Sequence, residues 1–225
     1  MRRIDLNVDI GEGFPHDTEL LRYATSANVC CGQHAGSWEL TAATVAACEA
    51  AGVRVGMHPG YPDRESMGRD PMEPEDFARY RESLLDQCRR FFAEFDVEYL
   101  KPHGAFYNEA QVEASVAEIA IEMVAETGLP IMGIPGTLLE MVGQGIGAGF
   151  IREGFADRRY DAEGLLVPRS EPHAVLTDPD EIRTQVLRLA RTVDSICLHG
   201  DGASAVEFAV LVRRTLTDAG YEIGP

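Results

Sequence analysis

Short apolar runs, each followed by a stretch with helical spacing, recur along the whole 225-residue chain, and few folds accommodate that alternation. The runs occupy residues 4–9, 27–31, 53–57, 97–101, 130–134, 149–153 and 194–198, with 221–223 as a weak eighth. Strands separated by helix-length crossovers pair in parallel, so the pattern predicts an α/β domain built from βα units. Phe77, Tyr80, Leu84, Cys88, Phe91 and Phe95 lie three or four apart and predict one apolar stripe on an amphipathic helix. Val112, Val116, Ile119 and Met123 repeat that spacing ahead of a Gly128 stop. Asp178-Pro179-Asp180-Glu181 reads as a capped start for a helix carrying Ile182, Val186 and Leu189, and a last helix over about residues 203–219 ends at Gly220. No linker or low-complexity tract divides the chain, so one domain over residues 1–225 is expected. Such repeats either close into a barrel or stay open as a doubly wound sheet, and spacing alone fits both. In either case the ligand site falls at the carboxyl ends of the strands.

Those ends carry the chemistry. Four of the six histidines follow an apolar run: His34 in Cys31-Gly32-Gln33-His34, His58 in Val55-Gly56-Met57-His58, His103 in Leu100-Lys101-Pro102-His103 and His199 in Ile196-Cys197-Leu198-His199. One such histidine is ordinarily a hydrogen-bonded loop residue, but a parallel sheet brings four of them to one face. In the first run Asp5, Asn7 and Asp9 alternate with Ile4, Leu6, Val8 and Ile10, so the polar three share one face of a strand. Polar side chains on an inward face cost free energy unless they are paired, hydrogen-bonded or bound to metal. Asp5 fits a structural tie between strands, whereas Asp9 fits a functional position. Lys101 is the one lysine beside nineteen arginines. A compact ammonium at a histidine-bearing strand end suits a phosphate or developing oxyanion, or acid/base work at a lowered pKa.

Polar loops add His58-Pro59-Gly60-Tyr61-Pro62-Asp63, Gly68-Arg69-Asp70 and Glu153-Gly154-Phe155-Ala156-Asp157-Arg158. Arg158 or Arg169 would hold a substrate carboxylate in a bidentate pair, with a structural salt bridge as the equal alternative. The glycines over residues 143–149 read as a flexible turn, no Walker motif is present, and Cys30 and Cys31 read as small buried strand residues.

Composition narrows the function classes. A net charge of −17 repels phosphate backbones and acidic membranes, which argues against nucleic acid and membrane partners. No apolar run approaches the ~20 residues that cross a bilayer, and the start of the chain lacks a signal-peptide pattern, so a cytoplasmic location is expected. Five cysteines without CxxC spacing indicate neither a disulfide framework nor a zinc knuckle. An acidic, nearly lysine-free surface fits a halophile's concentrated-salt cytosol; arginine-rich codon usage explains the missing lysines but not the excess acid.

Six blocks carry a family resemblance: the stretch from Asp5 to Gly13, Ala27-Asn28-Val29-Cys30-Cys31-Gly32-Gln33-His34-Ala35-Gly36, His58-Pro59-Gly60-Tyr61-Pro62-Asp63, Lys101-Pro102-His103-Gly104-Ala105-Phe106-Tyr107-Asn108, Phe155-Ala156-Asp157-Arg158 and His199-Gly200-Asp201. Together and in this order they resemble the LamB/YcsF family across nearly the whole chain. The resemblance implies a seven-stranded parallel β/α barrel, TIM-like and of the glycoside hydrolase/deacetylase type. It also implies a role in ATP-dependent cleavage of 5-oxoproline to glutamate, with Mg²⁺ accompanying the ATP and with 5-oxoprolinase B and C subunits as partners. Self-association remains open. The chain departs from the pattern at Ser37, where the family commonly has Asp, and at Asp70, where Arg is frequent.

Within that frame the expected catalytic residues are Asp9, His58, Lys101 and His103, with Lys101 and an arginine stabilising charge and Asp9 with His58 or His103 directing water. The expected substrate-binding residues are Asn7, Asn28, His34, Tyr61, Arg69, Asn108, Asp157, Arg158, Arg169, His199 and Asp201. Two rival readings stand beside this one. The first is a metal-dependent deacetylase or carbohydrate-type hydrolase, in which Asp9, His58 and His103 hold a divalent ion. The second is a non-catalytic scaffold within a larger complex.

Overall fold

The computed structural model describes residues 2–200, 202 and 204–225. Eight strands are seen among them: β1 Arg3–Ile10, β2 Ser26–Cys30, β3 Arg54–His58, β4 Tyr99–Leu100, β5 Ile131–Gly133, β6 Phe150–Phe155, β7 Ser195–His199 and β8 Glu222–Ile223. The helices are α1 Asp17–Leu20, α2 Trp38–Ala51, α3 Phe77–Glu94, α4 Gly104–Ala110, α5 Ala114–Thr127, α6 Leu138–Gly145, α7 Pro179–Leu189 and α8 Ala205–Asp218. Each strand from β1 to β7 pairs in parallel with the next, and β7 returns to β1, which closes a seven-stranded barrel. The weak eighth run becomes β8, laid beside the start of β1 with Arg3 opposite Glu222 and Ile4 opposite Ile223.

Alternation along β1 sorts its side chains as the period of two requires. Ile4, Leu6, Val8 and Ile10 join the hydrophobic core shared with the helices. Asp5, Asn7 and Asp9 take the opposite face and bond across the barrel interior. Thr25 and Ser26 each donate to Asp5 at 2.7 Å, Asn7 donates to Ser195 at 2.7 Å, and Asn28 donates to Asp9 at 2.6 Å. Asp5 is thus the strand tie that its position suggested.

The helices form the outer layer. On α3, Tyr80, Leu84, Cys88 and Phe91 are buried as the stripe predicts, while Phe95 lies just past the last turn. The α5 stripe is shorter than the spacing predicts, because the helix begins at Ala114 and leaves Val112 outside it and exposed. Asp178 caps α7 through the Asp180 amide at 2.8 Å, with Pro179 in the first turn. Ser37, the departure from the family pattern, caps α2 by accepting from the Leu40 amide at 3.2 Å. Serine and aspartate serve equally at that position. No helix among the described residues is long and apolar enough to cross a membrane.

Candidate active site at the carboxyl ends of the strands

A cavity of about 470 Å³ opens over the carboxyl end of the barrel, and Asp9, His58, Lys101, His103 and His199 all border it. Lys101 forms its floor. The residue is 1% exposed, and its ammonium lies 2.8 Å from Asp9 Oδ1, 2.9 Å from Glu153 Oε1 and 3.2 Å from Cys197 Sγ. The rings of Phe155 and Tyr107 stand 5.2 and 5.9 Å from it. Burial alone would lower the lysine pKa, but Asp9 and the other anionic neighbours raise it well above the ordinary value. Lys101 is therefore a fixed ammonium and not an acid/base group with a lowered pKa, which corrects that expectation.

The two carboxylates on this ammonium differ. Burial would raise Asp9, yet Lys101, His58 and His199 hold it well below the usual range, so it is ionised. Glu153 is raised by burial, with Lys101 lowering it in part and the Asp9 charge raising it further. One ammonium serving two acids thus leaves Asp9 as the resident anion and Glu153 as a carboxyl that holds its proton more tightly.

Above the floor three imidazoles crowd together. His58 Nδ1 faces the Lys101 carbonyl at 2.8 Å and its Nε2 faces His103 Nδ1 at 3.0 Å, while His103 Nε2 faces the Met67 carbonyl at 2.9 Å. His34 is fully buried and stacks on His103 with ring centroids 3.8 Å apart. Glu12 Oε1 lies 3.6 Å from His34 Nε2 and 3.5 Å from His103 Nδ1. Two of the glycines that follow the histidines make this packing possible. A Cβ on Gly60 would sit 2.5 Å from His34 Nδ1, and one on Gly104, where φ is +56°, would sit 2.4 Å from the Gly68 carbonyl.

The opposite wall holds His199. Its Nδ1 faces Asp157 Oδ1 at 2.8 Å, its Nε2 lies 3.9 Å from Asp9 Oδ2, and its ring stacks on Phe155. Burial would raise the Asp157 carboxyl, but His199 and the nearby arginines hold it below the usual range. An ionised aspartate behind an imidazole fixes the tautomer and turns Nε2 toward the cavity, the geometry of a general base with its orienting group. Arg69, Arg158 and Arg169 complete the rim with Leu166 and Pro168 from the loop between β6 and α7. Arg158 donates to the Val167 carbonyl at 2.6 Å, and its buried Nε has no hydrogen-bond partner among the described residues. Burial and then Arg169 push this guanidinium down to about 10. An incoming anion would relieve the repulsion that Arg169 and Arg69 exert on Arg158.

Of the expected site residues, Asp9, His58, Arg69, Lys101, His103, Asn108, Arg158, Arg169 and His199 border the cavity. Asn7 and Asn28 lie beneath it, where Asn28 bridges Asn7, Asp9 and the Tyr99 hydroxyl, so they brace the floor. His34 is likewise beneath the surface, and Asp157 stands behind His199. Tyr61 does not reach the cavity: it is fully buried between Tyr80 and Phe106 and donates its hydroxyl to Glu109. Asp201 lies outside the described residues. Sequence reasoning missed Glu12 and Glu153. Glu12 sits between two glycines with positive φ just past β1, where no periodicity marks it. Glu153 reads in the sequence as part of a polar loop, but β6 continues to Phe155, so Glu153 and Phe155 share the inward face of a strand.

Known proteins resemble the chain over nearly its whole length. The 5-oxoprolinase A subunit from Neisseria meningitidis serogroup C (strain 053442) is 41% identical over 244 residues, covering 99% of each chain. Its namesake from Pyrococcus furiosus is 36% identical, covering 99% of this chain and 97% of that one. The solved lactam utilization protein from Thermus thermophilus superposes with a TM-score of 0.82 at 31% identity, covering 100% of this chain and 99% of that one. A family 4 carbohydrate esterase from Streptomyces lividans shares the fold at a TM-score of 0.52 and 13% identity, covering 100% and 92%. The LamB/YcsF family profile matches residues 4–225, and the chain belongs to that family.

Proposed function

We propose that this chain is the ring-opening component of an ATP-dependent 5-oxoprolinase, converting 5-oxo-L-proline to L-glutamate with B and C subunits that bring Mg²⁺ and ATP to the reaction. The names of its relatives support the reading. The observation that carries it is the cavity itself, whose lining brings His199, backed by Asp157, together with an anionic Asp9 and three arginines.

The chemistry asks for that arrangement. A five-membered lactam is resonance-stabilised, so its oxygen must be activated before water adds at the ring carbonyl carbon. Phosphoryl transfer from ATP supplies the activation. The substrate carboxylate and the phosphoryl group are both anionic, and Arg158 with Arg69 and Arg169 would receive them. His199, oriented by Asp157, would take a proton from the attacking water as its oxygen bonds to the carbonyl carbon. The carbon–nitrogen bond then breaks as His199 returns its proton to the departing ring nitrogen, which becomes the amine of a γ-glutamyl phosphate, and a second water hydrolyses that acyl phosphate to glutamate and phosphate. This assigns the general base to His199 and not to Asp9 with His58 or His103, because those two imidazoles face each other. Asp9 and Lys101 fix the charge beneath the reacting carbonyl.

The test is 5-oxoproline-dependent release of phosphate and glutamate by this chain reconstituted with its B and C partners, with Mg²⁺ and ATP, at low and high KCl. Release only from the complete set is the expected result, and no release from that set excludes the reading. Release of product by the chain alone without ATP would replace it with a simple hydrolase, and full activity of His199→Ala within the complex would make the chain a scaffold.

A further inference from the structure

A single side chain of α7 gathers the backbone beside His199. Gln185 Nε2 lies 2.7 Å from the Phe155 carbonyl, 2.7 Å from the Arg158 carbonyl and 3.3 Å from the Ala156 carbonyl. An amide nitrogen carries two hydrogens, so it donates fully at the two shorter contacts and shares a hydrogen with the third. These carbonyls lie where the sheet's own ladder runs out. β6 ends at Phe155, and its last pairing with β5 sets Arg152 opposite Gly133. Residues 155–158 are buried, and buried carbonyls past the ladder take their donors from elsewhere. Gln185 serves three of them, and the Leu176 amide serves the Asp157 carbonyl at 2.8 Å. One donor reaching positions 155, 156 and 158 fixes a single path for the chain as it turns off the strand.

That path carries much of the site. The Phe155 ring stacks on His199, the Asp157 carboxylate faces His199 Nδ1 at 2.8 Å, and Arg158 stands on the cavity rim. Gln185 itself is half-buried on α7 between Ile182 and Val186 and does not line the cavity. A misplacement of about 1 Å originating away from the reacting atoms can cost on the order of 100-fold in rate, so a residue that holds this turn acts on the site from outside it.

We infer that Gln185 is a positioning residue for the reaction: through the carbonyls of Phe155, Ala156 and Arg158 it sets Asp157 against His199 and Arg158 at the rim. The inference rests on the reading of His199 as a general base oriented by Asp157. If Gln185 instead merely ties α7 to the barrel, any loosening of that helix acts alike, and His199 responds to none in particular.

Long-range ¹H–¹⁵N NMR of the histidine-labelled full chain at alkaline pH separates these cases without substrate or partners, because it reads which nitrogen of each neutral ring holds the proton. His199→Asn assigns the signals. The Nδ1–H tautomer is expected for His199 in the unsubstituted chain, with that preference lost in Gln185→Met, which keeps the side-chain length and removes both N–H donors. Val186→Ala, which removes buried packing at the next position of the same helix, should leave the tautomer as it was. Circular dichroism establishes folding, and should Gln185→Met not fold, Gln185→Asn, whose amide is drawn back by one methylene, takes its place. In the reconstituted complex Gln185→Met should lower kcat by about 10-fold or more. In an Asp157→Asn background it should lower kcat by less than about 2-fold, because the two residues act along one path.

An unchanged His199 tautomer in the folded Gln185 variant overturns the inference. So does an equal change in Val186→Ala, an Nε2–H tautomer already present in the unsubstituted chain, or an undiminished loss of kcat in the Asp157→Asn background. A tautomer change specific to Gln185, with no product release from the complete unsubstituted set, upholds the placing of Asp157 by Gln185 while the ring-opening reading fails.

Discussion

Removing Lys101 would leave Asp9 and Glu153 buried around an empty ammonium position, and stranding a buried charge of this kind costs about 3–5 kcal/mol. Lys101→Ala is therefore expected to lower the urea midpoint sharply before any effect on turnover is considered. Asp157 gives a pH prediction. Its folded pKa lies below the unfolded value of about 3.9, so its contribution to stability is complete above that value and is lost as pH falls through the folded pKa. Urea midpoints taken from pH 5 downward should fall less for Asp157→Asn than for the unsubstituted chain. In the reconstituted complex the same substitution should cost about 10²–10⁴-fold in kcat, because His199 loses the carboxylate that sets its tautomer. At this scale the sequence revealed what strand parity reveals: Asp9 by alternation in β1, and the histidines by their position after apolar runs. Glu12 escaped because it sits in a turn where nothing repeats. Glu153 escaped because the run at residues 149–153 ends two residues short of the strand, which hides its inward parity.

Among the elements, α3 was the most legible, since an amphipathic stripe is a local property of 18 consecutive residues. Leu84 lies at the centre of that stripe with no exposed surface, and Leu84→Ala is expected to cost about 2–5 kcal/mol in a chemical denaturation series. Ser37 offers a milder test of the α2 cap. Ser37→Ala should cost about 0.5–2 kcal/mol, while Ser37→Asp, the residue common in the family, should be nearly neutral because its carboxylate accepts from the same amide. The short strands were harder to delimit. The run at residues 97–101 yields only Tyr99–Leu100 as β4, since Pro102 has no N–H to extend the ladder. Val112 carried the right spacing but precedes α5, so periodicity overran the helix by a few residues.

For the whole molecule, parallel order could be read from the sequence but closure could not. Nothing local to residues 3–10 or 195–199 states that they pair, and the open doubly wound sheet differs from the barrel in that contact. The family resemblance, carried by motifs spread across the chain, supplied what spacing lacked. Net charge acts at the same scale. With a formal −17, mutual repulsion among carboxylates opposes compactness, and KCl at concentrations well above physiological should raise the thermal midpoint of the chain progressively. A midpoint independent of salt would remove the halophilic reading of the composition.

The placement of β1 also bears on how the molecule is made. This strand is held on one side by β2, some twenty residues on, with β8 beside its start on that same side, and on the other by β7, nearly two hundred residues on. During synthesis the ring cannot shut until residues 195–199 have emerged, and until then Asp5 and Asn7 lack Ser195, their partner across the seam. The nascent intermediate is thus a curved sheet with two raw edges, and its last step is a long-range encounter of the kind that slows folding and invites association between unfinished chains.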